Sequence, residues 1–189
     1  MNDYMVEETT GLQAVRYKPL VVAIHWITAL FVIAQIFIGL KFADMPKGPV
    51  RTDLFAWHKT VGVIILLLAL IRLSVRLMNP PPAYPSDFPK WERAVAVWSH
   101  RLFYFLIVAL PLTGLAAVSK KAVGGMTELQ GGLRFPVVPV PAIGEAHELL
   151  AWSLIALLVL HVGAALKNQF ASSTDVADRM PPFRSRRGD

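Results

Sequence analysis

The chain has 189 residues, 54% hydrophobic and 17% charged, against roughly a quarter charged in a soluble domain, so a water-facing globule is excluded. It contains no cysteine, which excludes disulfides, iron–sulfur clusters, thiolate zinc sites and covalently attached haem. The net charge of +6 does not point to nucleic acid, because the basic residues cluster beside long apolar runs, where membrane topology puts them.

The first eighteen residues are mixed, with Glu7 and Glu8 but no basic segment ahead of a short apolar core, and are not read as a cleaved signal. Four stretches then reach the ~20 apolar residues that cross a ~30 Å hydrocarbon layer. They run from about Pro19 to Leu40, Leu54 to Leu77, Val95 to Val118 and Gly144 to Leu166. Pro19 suits a helix start. Pro111, inside the third stretch, is expected to kink it, since spans tolerate proline. The connections are short: Phe42 to Asp53, a proline-rich Met78 to Lys90, and a longer Ser119 to Ile143, whose GGLRFPVVPVP suits irregular or hairpin structure over one end of the bundle. The expected fold is a single domain over 1–189, an all-α integral membrane four-helix bundle.

Basic residues set the orientation. Arg16, Lys18, Arg72, Arg76, Lys90, Arg93, Arg101, Lys167, Arg179, Arg184, Arg186 and Arg187 fall on one side, with both chain ends. Lys41, Lys47, Arg51, Lys59, Lys120, Lys121 and Arg134 fall on the other. The larger group belongs in the cytoplasm, so both termini are expected there.

All five histidines (His25, His58, His100, His147 and His161) lie inside these spans. Ionisable groups in membrane helices are costly and normally mark a functional interior. One alone often serves only as a helix–helix hydrogen bond; five together argue for a site. Depth sorts them into two layers. His25, His100 and His161 lie toward the cytoplasmic ends of their helices, and His58 and His147 toward the outer ends. His147 and His161 are fourteen residues apart, almost four turns and ~21 Å, so both rings leave one face of one helix. That helix offers a ligand to each of two stacked macrocycles. A haem between two imidazoles keeps no open coordination position and suits electron transfer. Zinc would require a tetrahedral cluster, and these histidines come as facing pairs.

The outer layer holds only His58 and His147. The inner layer has three candidates for two places: His161 is set by its register with His147, while His25 and His100 both remain open on the residues alone. The fourteen-residue interval recurs from His25 to Gly39, His58 to Arg72 and His100 to Gly114. Gly39 and Gly114 are therefore expected to let a flat ring approach the backbone. Arg72 is expected to pair with a propionate of the inner haem.

The segments AIHW, WHKTVG, WSHRLFYFLIVALPLTG, AHELLAW and LHVGAAL, followed by RMPP, resemble the bacterial cytochrome b561 family. The likeness runs from about Arg16 to Arg187. It implies two b-type haems, His25 pairing with His161 and His58 with His147, and leaves His100 beside the inner haem as a non-ligand. It also implies a multi-pass protein of the bacterial inner membrane that passes electrons to membrane quinone, with ubiquinone as acceptor and superoxide as a donor at the outer face. Related four-helix cytochromes are subunits of hydrogenases and formate dehydrogenases, so a redox protein partner is the alternative. On the superoxide reading the outer cations steer a small anion, and Lys59, beside His58, is the leading candidate among them. The expected partners are membrane lipid, quinone and the electron donor, with no nucleic acid.

Overall fold

A computed structural model describes residues 16–84, 88–118, 124–137, 140, 143–171, 176 and 179–181. Four helices dominate it: α1 Pro19–Ala43, α2 Pro49–Met78, α3 Lys90–Ala117 and α4 Ile143–Ala171. Each is long and apolar enough to cross a membrane. Proline opens α1 and α2, where its missing N–H costs no hydrogen bond. The helices outrun the apolar stretches. α2, at 30 residues, is ~45 Å long, and its additional first turn carries the polar Arg51 and Asp53. A helix crossing lipid satisfies its own backbone, and its polar side chains do likewise here. Thr28, Ser74 and Ser153 each donate to the carbonyl four residues back.

Close backbone packing follows chain order, α1 on α2, α2 on α3 and α3 on α4. The core joins Val32 of α1, Val61, Ile65 and Ala69 of α2, Leu106, Ile107 and Leu110 of α3, and Leu154 of α4. Elsewhere the large apolar side chains point outward, among them Leu30, Leu77 and Val159. In water that surface would drive association; in lipid it costs nothing, and helices associate through close contact and buried hydrogen bonds. One such bond is Gln35 Nε2 donating to the carbonyl of His58 at 2.9 Å.

Two small structures close the ends. At one end, strands β1 Met126–Glu128 and β2 Arg134–Pro136 pair antiparallel, Thr127 opposite Phe135, around a short 3-10 turn at Gln130–Gly132. Gly131 and Gly132 both have φ near 78°, a backbone that side-chain-bearing residues rarely adopt. The hairpin expected from the GGLRFPVVPVP segment is thus present, though its first strand precedes that segment. It rests on α2: the N–H of Gln130 donates to Thr60 Oγ1 at 2.8 Å, and Gln130 Nε2 to Asp53 at 3.1 Å.

At the other end Arg179 forms a clasp. Its guanidinium donates to the carbonyls of Pro82 and Ala83 at 3.2 and 2.7 Å and lies over the Tyr84 ring. Its own carbonyl accepts the N–H of Tyr17, and Trp26 Nε1 donates to Pro181. Tyr84 stacks on Phe88, and burial raises its phenol above the ordinary range, keeping it neutral beneath Arg179 and Arg93. Lys167 pairs with Glu92 at 2.8 Å on the same side.

Candidate functional site: two imidazole pairs across the bundle

The fourteen-residue interval on α4 places His147 toward the hairpin end and His161 toward the clasp end. Each meets a ring from another helix. His147 faces His58 of α2 with ring centroids 6.3 Å apart, and His161 faces His25 of α1 at 6.4 Å. His100 of α3 also reaches His161, at 5.6 Å. The two-layer arrangement expected from spacing is therefore the arrangement of the side chains, with His100 in the clasp-end layer.

In the hairpin-end layer, His147 Nδ1 donates to the carbonyl of Leu110 at 3.0 Å and approaches Thr113 Oγ1 at 3.1 Å. The proton on Nδ1 leaves the lone pair of Nε2 free. His58 is held differently. Its ring lies edge-on to Phe42, and its buried Nδ1 has no hydrogen-bond partner among the described residues. Both rings rest against glycine. A Cβ on Gly39 would stand 3.1 Å from His58 Cε1, and one on Gly114 3.0 Å from His147 Cε1. A flat ring does approach each glycine, and it is an imidazole.

In the clasp-end layer, Arg72 of α2 donates to His25 Nδ1 at 2.8 Å and lies over the Tyr104 ring. His100 Nδ1 donates to the carbonyl of Ala96 at 2.6 Å. Phe103 packs edge-on to His161.

Above the hairpin-end layer an open cleft of about 320 Å³ is lined by Arg51, Lys59 and Arg134 together with Phe55, Thr127 and Glu128. Lys59 Nζ donates to Thr127 Oγ1 at 3.3 Å and to the carbonyl of Glu128. Arg51 donates to the carbonyl of Phe42, whose ring touches His58, so the cleft adjoins that layer. Lys120 and Lys121 lie outside the described residues. Spacing gave no sign of Thr113, Phe42 or the Glu128 carbonyl.

The sequence pattern of the prokaryotic cytochrome b561 family matches residues 16–182. The chain belongs to that family. Among its relatives, cytochrome b561 homolog 2 of Escherichia coli (strain K12) is 26% identical over 176 residues, covering 87% of this chain and 90% of the relative. Cytochrome b561 homolog 1 of the same organism is 28% identical over 181 residues, covering 89% and 98%. A Yersinia pestis protein named probable superoxide oxidase CybB is 29% identical over 176 residues, covering 88% and 96%.

This cytochrome b561 is thus a bacterial multi-pass membrane protein of an electron-transfer family, and membership implies b-type haem. The residues present fit that group. Two imidazole nitrogens on opposite sides of one metal ion, at bonds of about 2 Å, put the ring centroids roughly 6 Å apart, close to the 6.3 and 6.4 Å of the two pairs. The donor set is all imidazole, and no three His, Asp or Glu side chains converge so as to hold one metal ion among the described residues. The clasp-end layer fits with one adjustment. A guanidinium can only donate, so while Arg72 holds Nδ1 of His25 the ring proton sits on Nε2. Ligation through Nε2 requires Arg72 to release that nitrogen, which frees its charge for a carboxylate.

Proposed function

We propose that this cytochrome b561 carries two b-type haems, held by His58 and His147 near one membrane face and by His25 and His161 near the other, and transfers electrons from superoxide to membrane quinone. The observation that supports this reading best is the pair of cross-bundle imidazole contacts, both anchored on α4 at ~21 Å separation. Bound haem would supply reversible one-electron carriage, and an imidazole pair holding it would leave no open position for oxygen.

The protein's own residues supply the rest. The hairpin end is taken as the outer face, because the clasp end carries the greater number of arginines and lysines. There the cations of Arg51, Lys59 and Arg134 raise the local concentration of a small anion beside His58. Ile65, Leu106 and Leu154 exclude water between the layers. At the inner layer the Arg72 guanidinium is available to a haem propionate. Each superoxide gives up one electron and leaves as dioxygen; two such electrons and two protons convert quinone to quinol. The name of the Yersinia pestis relative supports superoxide as the donor.

The test is stopped-flow mixing of the purified protein with superoxide, followed by ubiquinone, with haem absorbance as the readout. Rapid reduction and then reoxidation is expected. Haems that stay oxidised under superoxide would remove it as donor and favour a docked redox protein. Haem content tests the ligands: His147→Ala should lose the outer haem alone and His161→Ala the inner alone, from about two in the unmodified protein. A content of one overturns the two-layer assignment.

A further inference from the structure

The carbonyl of Leu110 and the hydroxyl of Thr113 converge on one nitrogen, Nδ1 of His147, at 3.0 and 3.1 Å. The Thr113 hydroxyl has a single proton, and carbonyls of its own helix stand ready to take it, Ala109 at 2.8 Å and Leu110 at 3.0 Å. Its oxygen therefore turns a lone pair toward His147, and the Nδ1–H is shared between two acceptors. One position on, a Cβ at Gly114 would meet Cε1 and Nδ1 of the same ring at 3.0 and 3.4 Å. The turn also contains Pro111, which donates no backbone N–H to α3. His58, across the layer, has no acceptor for its Nδ1 among the described residues.

We propose that the Leu110–Gly114 turn of α3 is a positioning element that sets the redox potential of the outer layer through His147. The inference rests on the reading of His147 as an axial ligand. Gly114 lets the imidazole seat against the backbone, and the two acceptors fix its proton on Nδ1 and its rotation. Acceptors on the distal nitrogen of a metal-bound imidazole raise its basicity. A more basic ligand stabilises the oxidised metal, so this turn lowers the outer potential. Among the described residues the acceptors lie on the His147 side of the layer, so the control belongs to α3 and α4 rather than to α2.

Redox titration of the purified holoprotein, with Thr113→Val, Thr113→Ser and Gly114→Ala, tests this. The outer haem is identified as the one lost in His147→Ala. Thr113→Val, nearly the same shape without the acceptor, is expected to keep both haems low-spin, move the outer midpoint to a more positive value and leave the inner one in place. Thr113→Ser should restore the original midpoint. Gly114→Ala should alter the electron paramagnetic resonance signature of the outer haem, because the ring must turn or withdraw. An unmoved outer midpoint in Thr113→Val overturns the proposal. So does Thr113→Ser shifting it as far as Thr113→Val, since the effect would then follow shape instead of the acceptor. Failure of the underlying reading looks different: His147→Ala would retain the full haem content of the unmodified protein.

Discussion

Arg72 of α2 donates to Nδ1 of His25 on α1 at 2.8 Å, a permanent cation bonded to an imidazole inside a membrane bundle. Whether it stays on that nitrogen or turns to a propionate, its charge remains in the inner layer. A nearby positive charge favours the reduced, less positive form of a haem. Arg72→Leu should therefore lower the inner midpoint potential and leave the outer one unmoved, while Arg72→Lys lowers it less. Redox titration checks this; an unchanged inner midpoint in Arg72→Leu would place the charge elsewhere.

His25 and His100 both reach His161, so distance alone does not choose between them. On the proposed assignment His100→Ala keeps six-coordinate, low-spin haem at both levels. His25→Ala gives an inner haem that binds carbon monoxide, or none. Visible spectra with and without carbon monoxide decide it, and the reverse pattern would assign the inner haem to α3 and α4.

Lys59 is pinned by the Thr127 hydroxyl and the Glu128 carbonyl, so its charge stands at a fixed place in the cleft. Lys59→Gln removes that charge while retaining a donor. The second-order rate of haem reduction by superoxide should drop by about 2–10-fold, with a flatter dependence on ionic strength. A rate and salt dependence equal to the original would show that the cleft does not steer the donor.

Arg179 holds two carbonyls of the α2–α3 connection with one fork. Arg179→Ala should cost about 1–3 kcal/mol of stability, visible as a lower melting temperature in detergent and faster proteolysis beyond α4. Arg179→Lys should rescue little, since an ammonium lacks the planar fork. Melting and cleavage at the original rates would reduce the clasp to a surface contact.

The assignment of faces is tested by reporter fusions. A reporter at the C-terminus should read cytoplasmic and one inserted near Gly131 should read external. Opposite readings would put the cationic cleft in the cytoplasm and remove the argument for steering superoxide from outside.

Much of this architecture is visible in the residues before any coordinates. Apolar runs of spanning length mark the four helices, and the interval from His147 to His161 forces two layers, because helix periodicity turns a spacing of fourteen into a shared face. The seat of His147 was not visible. A backbone carbonyl has no letter in a sequence, and one threonine near a proline reads as any other helix residue. Gly39 and Gly114 stood out by register, but nothing in their spacing says that the ring against them is an imidazole. The contact of Lys59 with Glu128 joins positions 69 apart through a main-chain atom, so no periodicity carries it. The helices run up to five residues past the apolar stretches, at the starts of α2 and α3 and at the end of α4, because hydropathy finds where lipid stops and a helix continues until its hydrogen bonds do.

The clasp also has a place in time. A ribosome makes Pro82 and Ala83 before α3 and α4 exist, and it makes Arg179 only after all four helices have been synthesised. The carbonyls of the α2–α3 connection and the N–H of Tyr17 therefore receive these partners only after α4 has been made. A product that stops short of residue 179 lacks the group that fastens this end.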